Sequence, residues 1–167
     1  MPGSRRFSQA ISEGDGISVF GEVHDVVGAR AATQHGAEAL LVRGALAGLR
    51  EATELPLLWC AEGSLQDAVA AGADAFLFVD DDPDRLSALH AEALELGLDC
   101  VVEVRDEEEL ERALEHVDPE IFLLSAAGVD EVLDLLPDVP AGKLAIAGAS
   151  IAGRAELAEL ERAGVDA

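Results

Sequence analysis

What most restricts this chain is a phrase that it uses four times: a helix-ending residue, glycine, a small or apolar residue, an acid and an apolar residue. It reads His35-Gly36-Ala37-Glu38-Ala39, Ala71-Gly72-Ala73-Asp74-Ala75, Leu96-Gly97-Leu98-Asp99-Cys100 and Ala163-Gly164-Val165-Asp166-Ala167. Each of the first three follows a helix-like stretch and opens an apolar run: Leu40-Leu41-Val42, Phe76-Leu77-Phe78-Val79 or Val101-Val102-Glu103-Val104. Glycine stops a helix because it adopts left-handed backbone without a Cβ clash, and a short apolar run is the mark of a strand buried on both faces. The phrase therefore predicts an array of βα units around a parallel sheet. Its fourth copy stands where an eighth strand should begin.

The pattern predicts strands at Ile17–Glu22, Ala39–Val42, Leu57–Cys60, Ala75–Val79, Cys100–Val104, Ile121–Leu124 and Leu144–Ala147. Helices are predicted near 26–35, 45–53, 65–71, 84–96, 107–116, 130–136 and 153–163, and residues 1–14 form a lead-in with an amphipathic stretch from Phe7. No Gly/Ser linker divides the 167 residues, so one domain over 1–167 is expected. No turn after a strand carries GxGxxG. A TIM-type (β/α) barrel with seven readable strands and the eighth missing is therefore preferred over an open doubly wound sheet.

The formal charge of -23, from 34 acids against 11 Lys plus Arg, argues against binding a phosphate backbone, so no nucleic-acid partner is expected. Acids such as Asp106 to Glu109, Glu156, Glu159 and Glu161 fall at helical, solvent-facing spacing. A surface this acidic with a single lysine resembles proteins of salt-adapted cytoplasms, where salt screens self-repulsion. Cys60 and Cys100 have no CxxC spacing and each adjoins a strand-like run, so free thiols are expected. No apolar stretch reaches transmembrane length and no signal-type segment follows Arg6, so the expectation is a cytoplasmic protein without a membrane partner.

In a βα barrel the reactive groups sit at the C-terminal ends of the strands. Those ends carry Glu22 with His24 and Asp25, Arg43, Cys60 with Glu62, Asp80-Asp81-Asp82, Glu103 with Arg105, Ser125, and Gly148-Ala149-Ser150. Glu22 and Glu103 are either catalytic carboxylates or relics facing solvent. His24 reads as an oriented base, a metal ligand or an exposed histidine. The aspartate run offers oxygen ligands for Mg²⁺ or Ca²⁺, but it matches no EF-hand loop, and an N-cap at Asp82 with Pro83 as the first helical residue explains much of it. Cys60 has no cationic neighbour in sequence and reads as an inert thiol, with a nucleophile as the sharper alternative.

Three stretches carry a family resemblance: Leu55-Pro56-Leu57-Leu58, then Ala71 to Leu77, then Glu95 to Leu110. They are similar to indole-3-glycerol-phosphate synthase. Ile17 to Val23 resembles that family's first strand, and Arg162 to Ala167 the segment before its eighth. The resemblance implies a barrel of tryptophan biosynthesis that closes an indole ring by decarboxylating an anilino-deoxyribulose phosphate. It also implies general-acid lysines, glutamates on strands one and five, a phosphate cradle after strands seven and eight, and no cofactor.

Carried over by position, Glu22 and Glu103 match the two glutamates, and the other positions depart. His24 stands for the strand-one lysine and Cys60 for the strand-three lysine. Ser125 stands for the strand-six asparagine, and Ala147-Gly148-Ala149-Ser150-Ile151 for the Ser-Glu-Ser-Gly-Ile of the phosphate cradle. Lys143 is the only lysine and precedes strand seven, at the wrong end of the barrel. A thiol of ordinary pKa ~8.5 is nominally acidic enough to replace a lysine, but it brings no positive charge. General acid-base help is typically worth about 10²- to 10⁴-fold per group.

The expected reading is a degenerate, non-catalytic relative with Glu22, Glu103, His24 and Cys60 as its catalytic candidates. Ser125, Gly148 and Ser150 are its substrate-binding candidates, and no resident metal is assigned. The expected ligand is a phosphorylated small molecule. One alternative is a divergent lyase or other phosphosugar-processing enzyme on the same scaffold. Another is an acidic binding or assembly module that takes a divalent metal. A barrel lacking strand eight should also leave Ile17–Glu22 and Leu144–Ala147 with unpaired backbone groups, so self-association through these edges is expected.

Overall fold

Seven parallel strands lie side by side in chain order in the computed structural model, which describes residues 6–13, 16–60, 63–79 and 82–167. They are β1 (Phe20–Val23), β2 (Ala39–Val42), β3 (Leu57–Trp59), β4 (Ala75–Phe78), β5 (Asp99–Val104), β6 (Ile121–Ser125) and β7 (Leu144–Gly148). An open doubly wound sheet reverses its strand order part-way. Here the order never reverses, and the fold is a TIM-type α/β barrel without its eighth strand. The helices are α1 (Arg6–Ser12), α2 (Val26–Gln34), α3 (Leu49–Ala52), α4 (Leu65–Ala70), α5 (Pro83–Glu95), α6 (Glu107–His116), α7 (Val129–Leu135) and α8 (Arg154–Ala163), with a 3-10 turn at Leu136–Asp138.

The repeated phrase does what its glycine predicts. Gly36, Gly72, Gly97 and Gly164 have φ of 88°, 79°, 77° and 98°, so each helix stops on a left-handed residue. Its acid has a role that the local pattern does not reveal. Asp74 Oδ2 accepts the Leu57 amide at 2.9 Å, and Asp166 Oδ2 accepts the Ala145 amide at 2.8 Å, so each satisfies an N–H in the first two residues of a neighbouring strand. Asp99 Oδ2 instead accepts the Ser8 amide of α1 at 2.8 Å.

Asp74 also meets Arg50 Nη1 at 3.2 Å, while the other nitrogen of that guanidinium donates to the carbonyls of Thr53 and Leu55. The α3–β3 connection is thereby tied to the start of β4. Asp74→Ala is expected to destabilise the fold by about 1.5–3 kcal/mol, because a strand amide and a half-buried guanidinium both lose a charged acceptor. Urea unfolding measures this, and a loss below about 0.5 kcal/mol, the scale of ordinary surface changes, would contradict it.

Side chains alternate across each strand and build two cores. Leu40, Val42, Leu57, Trp59, Phe76, Phe78, Val102, Val104, Phe122 and Leu124 face outward onto helix residues such as Ala29, Leu65, Ala68, Leu86, Leu110 and Leu160. Ala39, Leu58, Ala75, Val101, Ile121 and Ile146 face inward. That inner core also holds Phe7 and Ile11, so the lead-in helix α1 plugs the N-terminal end of the barrel.

The segment after α8 corrects the expectation of fully open edges. Asp166 donates its amide to Ala145 O at 2.9 Å, Ala147 donates to Ala167 O at 2.7 Å, and Ser18 donates to Asp166 O at 2.9 Å. Asp166 and Ala167 thus lie between β7 and the approach to β1, pairing Ala145 and Ala147 on one predicted bare edge and Ser18 on the other. Two element bounds also shift. Helix α3 is shorter than predicted because a turn at 47–48, closed by the Leu49 amide on Leu46 O and with Gly48 at φ 76°, precedes it, and β1 opens at Phe20 rather than Ile17.

Among the described residues, no helix is long and apolar enough to cross a membrane.

Candidate functional site

Strand alternation carries the inward face up to the C-terminal mouth of the barrel. Glu22 lies two residues beyond Phe20, Arg43 two beyond Leu41, Cys60 two beyond Leu58, and Glu103 two beyond Val101. Ser125 and Gly148 continue the same face on β6 and β7 and are register partners. Parity alone therefore delivers these positions to one rim.

Arg43 Nε donates to Glu22 Oε1 at 2.7 Å, and His24 Nε2 lies 3.9 Å from the same oxygen. The Arg43 hydrogen bond holds the Glu22 carboxyl below its ordinary range against the opposing effect of burial. The Arg43 guanidinium is raised in turn, first by that bond and also by the Cys60 and Glu103 charges. Burial pushes the Cys60 thiol up from 9.0 to about 12, with Glu103 and Glu22 adding to the rise and Arg43 opposing it. The expected ordinary acidity of this thiol is thereby corrected: a buried thiolate beside two carboxylates is too costly for one guanidinium to offset. Cys60 has no cationic neighbour in sequence, and the fold supplies one, since Arg43 reaches it electrostatically.

Three of the four predicted catalytic candidates, Glu22, Cys60 and Glu103, thus interact with one arginine. His24 stands at the outer edge, its side chain 77% exposed. Ser150 is exposed beyond β7. In the sequence Arg43 is one of the few cations near strand ends or helix starts, with Arg105 and Arg154, and it stands outside the catalytic and substrate-binding candidates. The signal was there: it continues the inward parity of β2, next to the strand that carries Glu22.

Two other cations, Arg105 and Lys143, are engaged away from this cluster. Arg105, just before the Asp106 N-cap of α6, makes bonds of 3.1 and 2.7 Å to Glu109 Oε1 in the first turn of that helix. Lys143 is held by Asp118 Oδ1 at 2.7 Å, in the loop before β6 and thus at the closed end. Asp82 caps α5, accepting the amides of Asp84 and Arg85 ahead of Pro83, as its spacing predicts. Asp80, Asp81 and Glu62 lie outside the described residues. Among the described residues, no three His, Cys, Asp or Glu side chains cluster to hold a metal. A cleft on the β3–β4 side of the mouth is lined by Arg43, Cys60, Ser64, Leu77, Val79 and Arg85, among others.

The model of the indole-3-glycerol phosphate synthase family matches residues 59–167, well over half of the chain. The chain belongs to the indole-3-glycerol phosphate synthase family. The Geobacillus sp. indole-3-glycerol phosphate synthase is 28% identical over 169 residues, covering 87% of this chain and 66% of that protein. The Acidithiobacillus ferrooxidans enzyme of the same name is 35% identical over 134 residues, covering 73% and 51%. The chain thus spans between half and two-thirds of these relatives. Among solved structures, a chain of the tryptophan synthase complex from Pyrococcus furiosus superposes with a TM-score of 0.69 at 14% identity, covering 89% of this chain and 84% of that one. A 2,3-dimethylmalate lyase gives 0.67 at 18%, covering 98% and 79%. Likeness at such identities speaks for the shared barrel fold alone. Membership of the family rests on the sequence matches.

Proposed function

We propose that this member of the indole-3-glycerol phosphate synthase family binds a small phosphorylated molecule at its mouth without carrying out the family's ring closure. One observation carries the reading: the cation among the mouth's inward-facing strand-end residues, Arg43, is already paired with Glu22, while the chain's single lysine bonds Asp118 at the opposite end. Ring closure with loss of carboxylate needs a positioned proton donor and positive charge near the substrate's anions. The positions that match the family's lysines hold His24 and Cys60. His24 is largely exposed, and the Cys60 thiol is raised to about 12, which makes it a poor proton donor near neutral pH. Glu22 and Glu103 are then retained carboxylates that lack the acid they would work with. The weight of carboxylate at the mouth also predicts weak phosphate binding.

The experiment is a turnover assay that follows indole-product fluorescence with the family's anilino-deoxyribulose phosphate. Turnover is expected to be undetectable. A rate within about tenfold of an ordinary family member, the low side of what one general acid contributes, would overturn the reading. Loss of such a rate in Glu22→Gln and Glu103→Gln would mark a rebuilt active site.

A further inference from the structure

We propose that Arg43 is an oxyanion receptor whose Nη edge binds the phosphate or carboxylate group of a small ligand in the cleft on the β3–β4 side of the mouth. The inference rests on reading that mouth as a binding site, and it names the group that does the binding. Arg43 Nε is tied to Glu22 Oε1 at 2.7 Å, whereas neither Nη group makes a hydrogen bond among the described residues. A guanidinium is planar, so fixing Nε also fixes the direction of the two-nitrogen fork. That fork matches the paired oxygens of a carboxylate or phosphate and is held in advance, so little rotamer freedom is lost on binding.

The surroundings suit a small, partly apolar anion. The Arg43 side chain is 60% exposed, so a ligand reaches it without any opening of the fold. Arg85 and Ser64 line the same cleft, and Leu77 and Val79 give it an apolar wall. The Cys60 thiol, also in the lining, stays protonated at neutral pH and adds no negative charge. Glu22 and Glu103 oppose an anion, and binding is therefore weak and falls with added salt.

Isothermal calorimetry at low ionic strength, with inorganic phosphate and acetate as separate probes and emission of the single tryptophan, Trp59, as a second readout, tests this. Saturable binding of at least one anion is expected, weakened at least about tenfold in Arg43→Gln and also weakened in Arg43→Lys, which keeps the charge but loses the fork. Arg30→Gln, an exposed position on α2, should bind as the wild type does. Tighter phosphate assigns a phosphoryl ligand and tighter acetate a carboxylate. No saturable binding by the wild type, or unchanged binding by Arg43→Gln, overturns the proposal. If Arg43→Gln fails to fold, Arg43→Lys decides, and wild-type affinity there overturns it. Ring-closing turnover would sink the non-catalytic reading and leave this assay intact, just as absent anion binding leaves the turnover assay intact.

Discussion

Replacing Phe7 by alanine is expected to destabilise the protein by about 3–5 kcal/mol, although Phe7 lies in a lead-in helix and not in the βα array. Its side chain is fully buried in the inner core, and its ring centroid lies 5.4 Å from that of Phe20 on β1. It shares that core with the small inward residues Ala39 and Ala75 as well as Leu58, Ile121 and Ile146, so α1 completes the filling that the strands begin. Truncation removes the packing and leaves a cavity that the surrounding strands, held by their ladder hydrogen bonds, only partly collapse. Against a typical total of about 5–15 kcal/mol, this is a large share of the stability. Phe7→Leu, which conserves most of the volume, should cost less than about 1.5 kcal/mol. Denaturant unfolding of both variants measures the difference, and a Phe7→Ala cost below about 1 kcal/mol, too little for a filled core position, would mean that α1 is no part of the core.

Alkylation of Cys60 in the folded protein is expected to be about 30- to 60-fold slower at pH 8 than alkylation of an exposed thiol. A pKa raised from 9.0 to about 12 lowers the thiolate population about 10³-fold, and the greater nucleophilicity of the more basic thiolate recovers part of that loss. The pH profile is the sharper signature. The rate should climb about tenfold per pH unit well beyond pH 9, where an exposed thiol levels off. Glu103→Gln should speed the reaction and Arg43→Gln slow it, because the carboxylate raises this pKa and the guanidinium lowers it. Iodoacetamide labelling read by mass spectrometry reports the rate, and a plateau at or below pH 9 would refute the account. Linkage has a definite sign here. The folded chain keeps a proton that the unfolded chain releases above pH 9.0, so this group's effect on stability is unfavourable as pH rises from there toward about 12.

The residues that nominate the mouth were legible because strand alternation is a local rule. Once β1, β2, β3 and β5 are located, Glu22, Arg43, Cys60 and Glu103 fall on the inward face at their C-terminal ends. Their pairing was not legible. Arg43 and Glu22 are 21 residues apart, and nothing between them says which way either side chain turns. Cys60's acidity was misjudged for a related reason: it sums burial with charges from three other strands, and those contributions exist only once the sheet has curled.

The sequence by itself determined the alternation of strand and helix, the glycine stops, the Asp82-Pro83 start of α5 and membership of the family. Each of the structural features among these depends on residues a few positions apart, through backbone freedom, capping or the twofold and 3.6-fold periods of side-chain direction. Tertiary structure alone decided that α1 enters the barrel floor, with Asp99 accepting an amide 91 residues away. It also decided that Asp74 and Asp166 satisfy strands 17 and 21 residues distant, and that Asp166 and Ala167 bridge β7 to the approach to β1. These contacts depend on how far the sheet curls, which accumulates from small twists between successive parallel strands. No window of neighbouring residues records that sum.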